Sequence, residues 1–149
     1  MGYTEAMSII NLFCFPHAGG GVGTFRYWQR ETPGFINVIP VVMPNRRPGV
    51  RINGFDGMIE HLFDDIQEKV SRGPFAFFGH SLGALICFEL ASLLAAKRFE
   101  TPRCLFLSAM RAPHVPPRRQ NLSTATNEEL GAFFNGIFPN DDIDDEVKE

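Results

Sequence analysis

The residues of this chain with the clearest chemical potential are Gly79-His80-Ser81-Leu82-Gly83. They follow an apolar run, Phe75-Ala76-Phe77-Phe78, and lead into an apolar segment of helical length, Leu82 to Ala96. That order reads as strand, sharp turn, helix. A serine at the tip of such a turn is held in a strained backbone conformation with its hydroxyl above the sheet. Glycines are expected at 79 and 83 because strand and helix pass so close that a Cβ would clash. The Leu82 N–H opens the helix, so it lacks an intrahelical acceptor and faces any oxygen that approaches Ser81. The implied chemistry is acyl transfer through a serine nucleophile. Gly-x-Ser-x-Gly arises by chance in roughly one chain in twenty of this length at ordinary residue usage. The flanking strand and helix are the context that separates an elbow from coincidence.

A second loop fits the same chemistry. Pro16-His17-Ala18-Gly19-Gly20-Gly21-Val22-Gly23 breaks the apolar run Ser8 to Phe15, and its glycines let backbone N–H groups approach a ligand closely. It lacks the Lys-Ser/Thr ending of a phosphate-binding loop, which makes nucleotide binding the weaker alternative. A serine also needs an adjacent base. In hydrolases built on this turn the acid and then the histidine follow the serine along the chain. Here only His114 follows Ser81. His80 occupies a turn position whose side chain packs away from the nucleophile, and His61 falls on the exposed face of a helix. His17 is either a variable loop residue or a group that approaches the site. His114 follows a strand end and can line the site. The carboxylates from Asp141 to Glu146 sit on an acidic tail with no fixed relation to Ser81.

The elements that must position these residues alternate. Ser8 to Phe15 reads as a strand buried on both faces, Thr24 to Arg30 as a short helix, and Phe35 to Met43 as a second strand. A basic loop, Asn45 to Arg51, leads to Phe55, Met58, Ile59, Leu62, Phe63, Ile66 and Val70 at helical spacing, with acidic residues opposite. The elbow strand and helix follow, then a fourth strand from Arg103 to Met110. Strands alternating with helices predict a parallel sheet with right-handed crossovers. After a Pro- and Arg-rich connection, Thr126-Asn127-Glu128-Glu129 is a capping-box pattern, and Leu130, Phe133, Phe134, Ile137 and Phe138 form one helical stripe. No repeat or linker marks a second domain.

Bulk properties narrow the function classes. A chain of 149 residues, 44% hydrophobic, suits one domain that buries roughly two thirds of its unfolded surface. A net charge of −3 gives no reason to expect nucleic acid or an anionic membrane as partner. No apolar run reaches the roughly 18 residues of a membrane span, and the N-terminus lacks the pattern of a signal peptide. Cys14, Cys87 and Cys104 each lie in an apolar segment without metal-ligand spacing, and read as reduced, buried cysteines of a cytoplasmic protein. The 15 phenylalanines suit a thick core or an acyl-binding surface. No metal or cofactor is expected.

Phe15-Pro16-His17-Ala18-Gly19-Gly20 followed downstream by Gly79-His80-Ser81-Leu82-Gly83-Ala84 resembles the type II thioesterases that accompany nonribosomal peptide and polyketide synthases. Met43-Pro44 followed by arginines, Arg111-Ala112-Pro113-His114 and the helix from Asn127 agree with it; Asn45 and Asn135 stand where the family usually has glycine. The resemblance implies an α/β-hydrolase core with strand order second, first, third, fourth. It implies a single domain over residues 1–149 that stops before the last strands, with 122–149 resembling the start of a lid. It also implies Ser81 as nucleophile and the N–H groups of Leu82 and Ala18 as oxyanion hole, with His17 the alternative donor. The substrate would be an acyl group on the phosphopantetheine arm of an acyl or peptidyl carrier protein, removed to clear a stalled or misprimed synthase.

Arg46, Arg47 and Arg51 follow the second strand, and Arg111, Arg118 and Arg119 the fourth, so all six are expected at one sheet edge. They either steer an acidic carrier protein and its phosphopantetheine phosphate or form a solvated rim. The family's acid and base lie after two further strands, so the chain alone is expected to be nearly inactive. Three alternatives stand beside that expectation. They are a carboxylesterase or lipase, a non-catalytic module that binds carrier proteins or lipids, and a truncated gene product or half of a split enzyme completed by a second chain. The outer strand, with Cys104-Leu105-Phe106-Leu107, is expected to be an edge prone to association.

Overall fold

A computed structural model describes residues 8–112 and Val115. Its contacts divide the chain into two units, Met1–Met110 and Arg111–Glu149, and the described architecture belongs to the first. Four strands form one parallel sheet: β1 (Ile10–Phe15), β2 (Ile36–Pro40), β3 (Phe75–His80) and β4 (Leu105–Ser108). Their spatial order is β2-β1-β3-β4, the order that the family resemblance implies. Three helices connect them: α1 (Trp28–Glu31), α2 (Gly54–Val70) and α3 (Leu82–Ala96). Short 3-10 turns at Val22–Phe25 and Pro44–Arg46 follow β1 and β2.

The register explains the core. Phe13 pairs with Phe77 and Asn11 with Phe75, so alternate residues of β1 and β3 share a face. On it Phe13, Phe15, Phe75 and Phe77 meet edge-on or tilted at centroid distances of 5.3–6.2 Å. These rings join Leu62, Ile66 and Val70 of α2 and Ile86, Leu90 and Leu94 of α3 in one buried cluster. The helical spacing read along residues 55–70 is therefore the stripe that α2 buries. Cutting fully buried Leu90 to alanine would cost about 2–5 kcal/mol. Phe78 points the other way and stacks against Trp28 at 4.6 Å and Phe25 at 6.0 Å.

Several expectations needed correction. The strands expected over 8–15, 35–43 and 103–110 are shorter, although single hydrogen bonds at Phe35, Val41 and Arg103 still join the strand ends to their neighbours. Val41 and Met43 are buried as loop residues beyond β2 rather than as strand. The helix expected over 24–30 splits into the 3-10 turn Val22–Phe25 and α1, so that Phe25 and Trp28 can both reach Phe78. Cys14 and Cys87 are buried as expected, but Cys104 is exposed, since it precedes β4 at the sheet edge. The capping box and apolar stripe of residues 126–138, His114, Arg118 and Arg119 lie outside the described residues.

Candidate active site

Ser81 stands alone between β3, which ends at His80, and α3, which begins at Leu82. Its backbone is at φ 54°, ψ −115°, a region that side chains rarely adopt, and the residue is exposed. Neighbouring bonds hold that conformation. Ser81 N–H donates to the Ser108 carbonyl at 2.8 Å, and the Ser81 carbonyl accepts from Ala84 N–H at 3.0 Å. A serine preceding a helix usually spends its hydroxyl on a first-turn N–H, but Ser81 makes no such capping bond. Its Oγ is left for other work.

The two glycines are required by contact. A Cβ at Gly79 would lie 2.1 Å from the Gly83 carbonyl oxygen, and one at Gly83 would lie 2.1 Å from the Phe15 oxygen. The elbow thus closes on itself and is pressed against the end of β1, where the glycine-rich loop starts. That loop opens with a turn closed by Gly20 N–H donating to the His17 carbonyl at 3.0 Å, with Gly19 at φ +80°. This is the type II form, which favours glycine at its third position. His17 and Ala18 are exposed. Neither Leu82 N–H nor Ala18 N–H donates a hydrogen bond among the described residues.

The carboxyl ends of all four strands meet at this edge. The His17 and His80 rings stand perpendicular with centroids 6.1 Å apart, and His80 Nδ1 lies 3.0 Å from Ser108 Oγ. Ser108 therefore holds both residues at the elbow's tip, Ser81 through its carbonyl and His80 through its hydroxyl. The sequence reading did not single it out; the available signal was one small polar residue closing the apolar run Leu105-Phe106-Leu107. His61 is exposed on α2. Among the described residues no histidine hydrogen-bonds a carboxylate.

The three arginines after β2 differ in their partners. Arg46 donates through Nη2 to the Gly19 carbonyl of the glycine-rich loop. Arg47 forms a two-pronged ion pair with Asp65 of α2 and donates to the Val42 carbonyl at 2.8 Å. The Asp65 hydrogen bond, then its charge, hold the Arg47 guanidinium above its usual pKa against some loss of hydration. Arg51 is exposed and makes no hydrogen bond among the described residues. The buried thiols are silent. Burial pushes Cys14 up to about 12, and burial, aided by Cys14, pushes Cys87 up as well.

A parallel sheet flanked by helices, with a strained serine between strand and helix, defines an α/β-hydrolase fold. The thioesterase domain family model matches residues 10–148, and the chain belongs to that family. It is similar to the gramicidin S biosynthesis protein GrsT of Aneurinibacillus migulanus, 37% identical over 81% of this chain and 48% of the relative. It is also similar to the linear gramicidin dehydrogenase LgrE of Brevibacillus parabrevis, 43% identical over 70% of this chain and 41% of the relative. The solved structure of RedJ, a thioesterase of the prodiginine pathway of Streptomyces coelicolor, superposes with a TM-score of 0.75 at 33% identity. That match covers 91% of this chain and 54% of RedJ. Solved type II thioesterases of other biosynthetic pathways share the fold. The chain spans about half the length of the curated relatives it matches.

Proposed function

We propose that this chain carries the nucleophile and oxyanion half of a thioesterase that removes acyl groups from the phosphopantetheine arm of a carrier protein. The observation that carries the reading is Ser81 itself: strained, exposed, and with a hydroxyl unused by the helix behind it. Attack of Ser81 Oγ on a thioester carbonyl would place negative charge on the carbonyl oxygen. The N–H groups of Leu82 and Ala18, with His17 as the alternative to Ala18, are the donors proposed to receive it. Family membership and similarity to a gramicidin S biosynthesis protein and a prodiginine-pathway thioesterase support thioester hydrolysis; the clearing of stalled or misprimed synthases is proposed with it. One relative's name speaks of a dehydrogenase. The loop here, Gly19-Gly20-Gly21-Val22-Gly23-Thr24, does not match the Gly-x-Gly-x-x-Gly spacing of a dinucleotide site, which favours hydrolysis.

Removing the proton from Ser81 needs a base held by a carboxylate, and the described residues pair none. The family resemblance places that pair after two further strands, and on that ground the 149-residue chain alone is proposed to be nearly inactive. The test compares the chain with Ser81→Ala. In a complete protein with this core, a fluorophosphonate should label Ser81 and leave the Ser81→Ala variant unlabelled. Acyl-CoA turnover by the isolated chain should fall on the order of a millionfold below that of a complete serine hydrolase. Labelling that survives in Ser81→Ala would overturn the nucleophile assignment. Turnover of 1 s⁻¹ or faster, an ordinary enzyme rate of roughly 1–1000 s⁻¹, would overturn the missing-base argument. Matched thioester and oxoester substrates, tested on a complete protein with this core, separate the reading from a carboxylesterase.

A further inference from the structure

We infer that Arg46 is a positioning residue that clamps the glycine-rich loop in its donor geometry, rather than a rim charge reserved for a carrier protein. The inference rests on the proposed role of that loop. Arg46 belongs to the 3-10 turn Pro44–Arg46, and its backbone N–H donates to the Met43 carbonyl at 2.9 Å. The turn is anchored from below: Met43 and Pro44 are buried, and neighbouring Arg47 ties Val42 to Asp65 of α2. From this base the Arg46 guanidinium reaches across 27 positions of sequence to the Gly19 carbonyl.

That carbonyl belongs to the third residue of the His17–Gly20 turn, the one at φ +80°. A glycine there has a broad choice of conformations, and its own Cβ-free surroundings do nothing to narrow it, since no atom lies within 4 Å of a built Cβ. Two hydrogen bonds among the described residues fix the turn, Gly20 N–H to the His17 carbonyl and Arg46 to Gly19, beside the edge contact of the His17 ring with His80. A charged donor to a carbonyl is the stronger kind of hydrogen bond. With it the carbonyl of Gly19 is held toward β2, and the peptide groups of His17 and Ala18 on the same turn are held in register with the elbow. Oxyanion donors act only when they are already in place, so a loop that swings costs rate without costing stability. Arg46 is exposed, so its removal should leave the global unfolding midpoint nearly unchanged.

Two readouts test this, with variants Arg46→Ala, Arg46→Gln and Arg46→Lys: amide exchange on the 149-residue chain, and Ser81 labelling on a complete protein with this core. The first is amide hydrogen exchange at Gly20, referenced to Phe77, whose N–H is bonded to the Cys104 carbonyl in the sheet. The second is the rate at which a small uncharged fluorophosphonate labels Ser81, its phosphoryl oxygen occupying the oxyanion position as fluoride leaves. In Arg46→Ala, Gly20 exchange should rise about tenfold and labelling should slow at least about tenfold, with Phe77 unchanged. Arg46→Lys, which keeps a charged donor, should recover most of both, and neither effect should vary with salt. Unchanged Gly20 exchange in Arg46→Ala overturns the clamp. Faster exchange with unchanged labelling overturns its link to the oxyanion donors. If Phe77 exchange also rises in Arg46→Ala, Arg46→Gln, which preserves the stem and a neutral donor, decides by the same criteria. If wild-type Ser81 takes no label, the nucleophile reading fails by itself, and Gly20 exchange alone supports or overturns the clamp.

Discussion

At the scale of single residues, Ser81 is informative because its backbone is fully committed and its side chain is not. The need for glycine at 79 was legible in the sequence, since its Cβ would meet Gly83 within one turn of chain; at 83 the motif marked the glycine, but the β1 oxygen that demands it is supplied by the fold. Gly83→Ala is expected to cost about 3 kcal/mol, because its Cβ would lie 2.1 Å from a backbone oxygen of β1 that has no rotamer by which to move away. Urea denaturation would register this as a lower midpoint, and a loss below about 1 kcal/mol would mean that the elbow opens at little cost. Ser108 was not legible, because its partners His80 and Ser81 are brought to it only by sheet pairing. The thiols give a second test. A thiol reagent should titrate Cys104 alone in the native chain and all three cysteines in denaturant. With Cys14 and Cys87 raised in the folded state, the folded chain keeps protons that the unfolded chain has lost above about pH 9. Stability should therefore be unaffected by these groups at neutral pH and fall as pH rises from about 9 toward 12, by at most about 1.4 kcal/mol per unit for each thiol. Cys14→Ala should flatten that fall; an unchanged alkaline slope would reject it.

At the scale of elements, types were easier to read than ends. The bounds of α3 were legible to the residue, since Ser81 and the apolar run fix its start and Lys97 ends it. Strand ends were not, because Val41 and Met43 are as apolar as β2 itself, and Val41 N–H still donates to the Cys14 carbonyl of β1 at 2.9 Å just beyond the strand's end. The loop after β2 shows the same limit at the site. Three arginines in a row of loop residues looked equivalent, yet Arg46 turns to Gly19, Arg47 turns to Asp65, and Arg51 is left in solvent. Helical spacing sets acidic residues opposite the apolar stripe of α2, but nothing in it marks Asp65 as the residue that Arg47 reaches. Arg51 is therefore the arginine proposed to meet the phosphopantetheine phosphate or an acidic carrier surface. Arg51→Glu should weaken carrier-protein binding about tenfold at low salt and much less at high salt, with labelling of Ser81 by a neutral phosphonate unchanged. Equal affinity at low salt would return Arg51 to a solvated rim.

At the scale of the molecule, the sheet ends on β4 among the described residues. A parallel edge of this kind carries a row of N–H and C=O groups without ladder partners. On β4 the side chains do nothing to discourage pairing: Phe106 is 50% exposed, Leu107 is 38% exposed, and Leu105 to Ser108 contains no charge. Charged residues are the usual means by which an edge is kept from its own copies. β2 at the opposite edge is better protected, because Gln29 of α1 donates to the Ile36 carbonyl at 3.0 Å and accepts from Val38 N–H at 2.8 Å. The 149-residue chain is therefore expected to associate through β4 rather than β2. Sedimentation velocity should show mass rising with concentration across the micromolar range. Phe106→Lys should shift that rise to at least about tenfold higher concentration, since it places a charge on the exposed face without touching the buried Phe13–Phe77 layer. A lysine in place of exposed Tyr27, which lies outside β4, should leave it unchanged. A monomer stable at all these concentrations would mean that the edge of β4 is covered within a single chain.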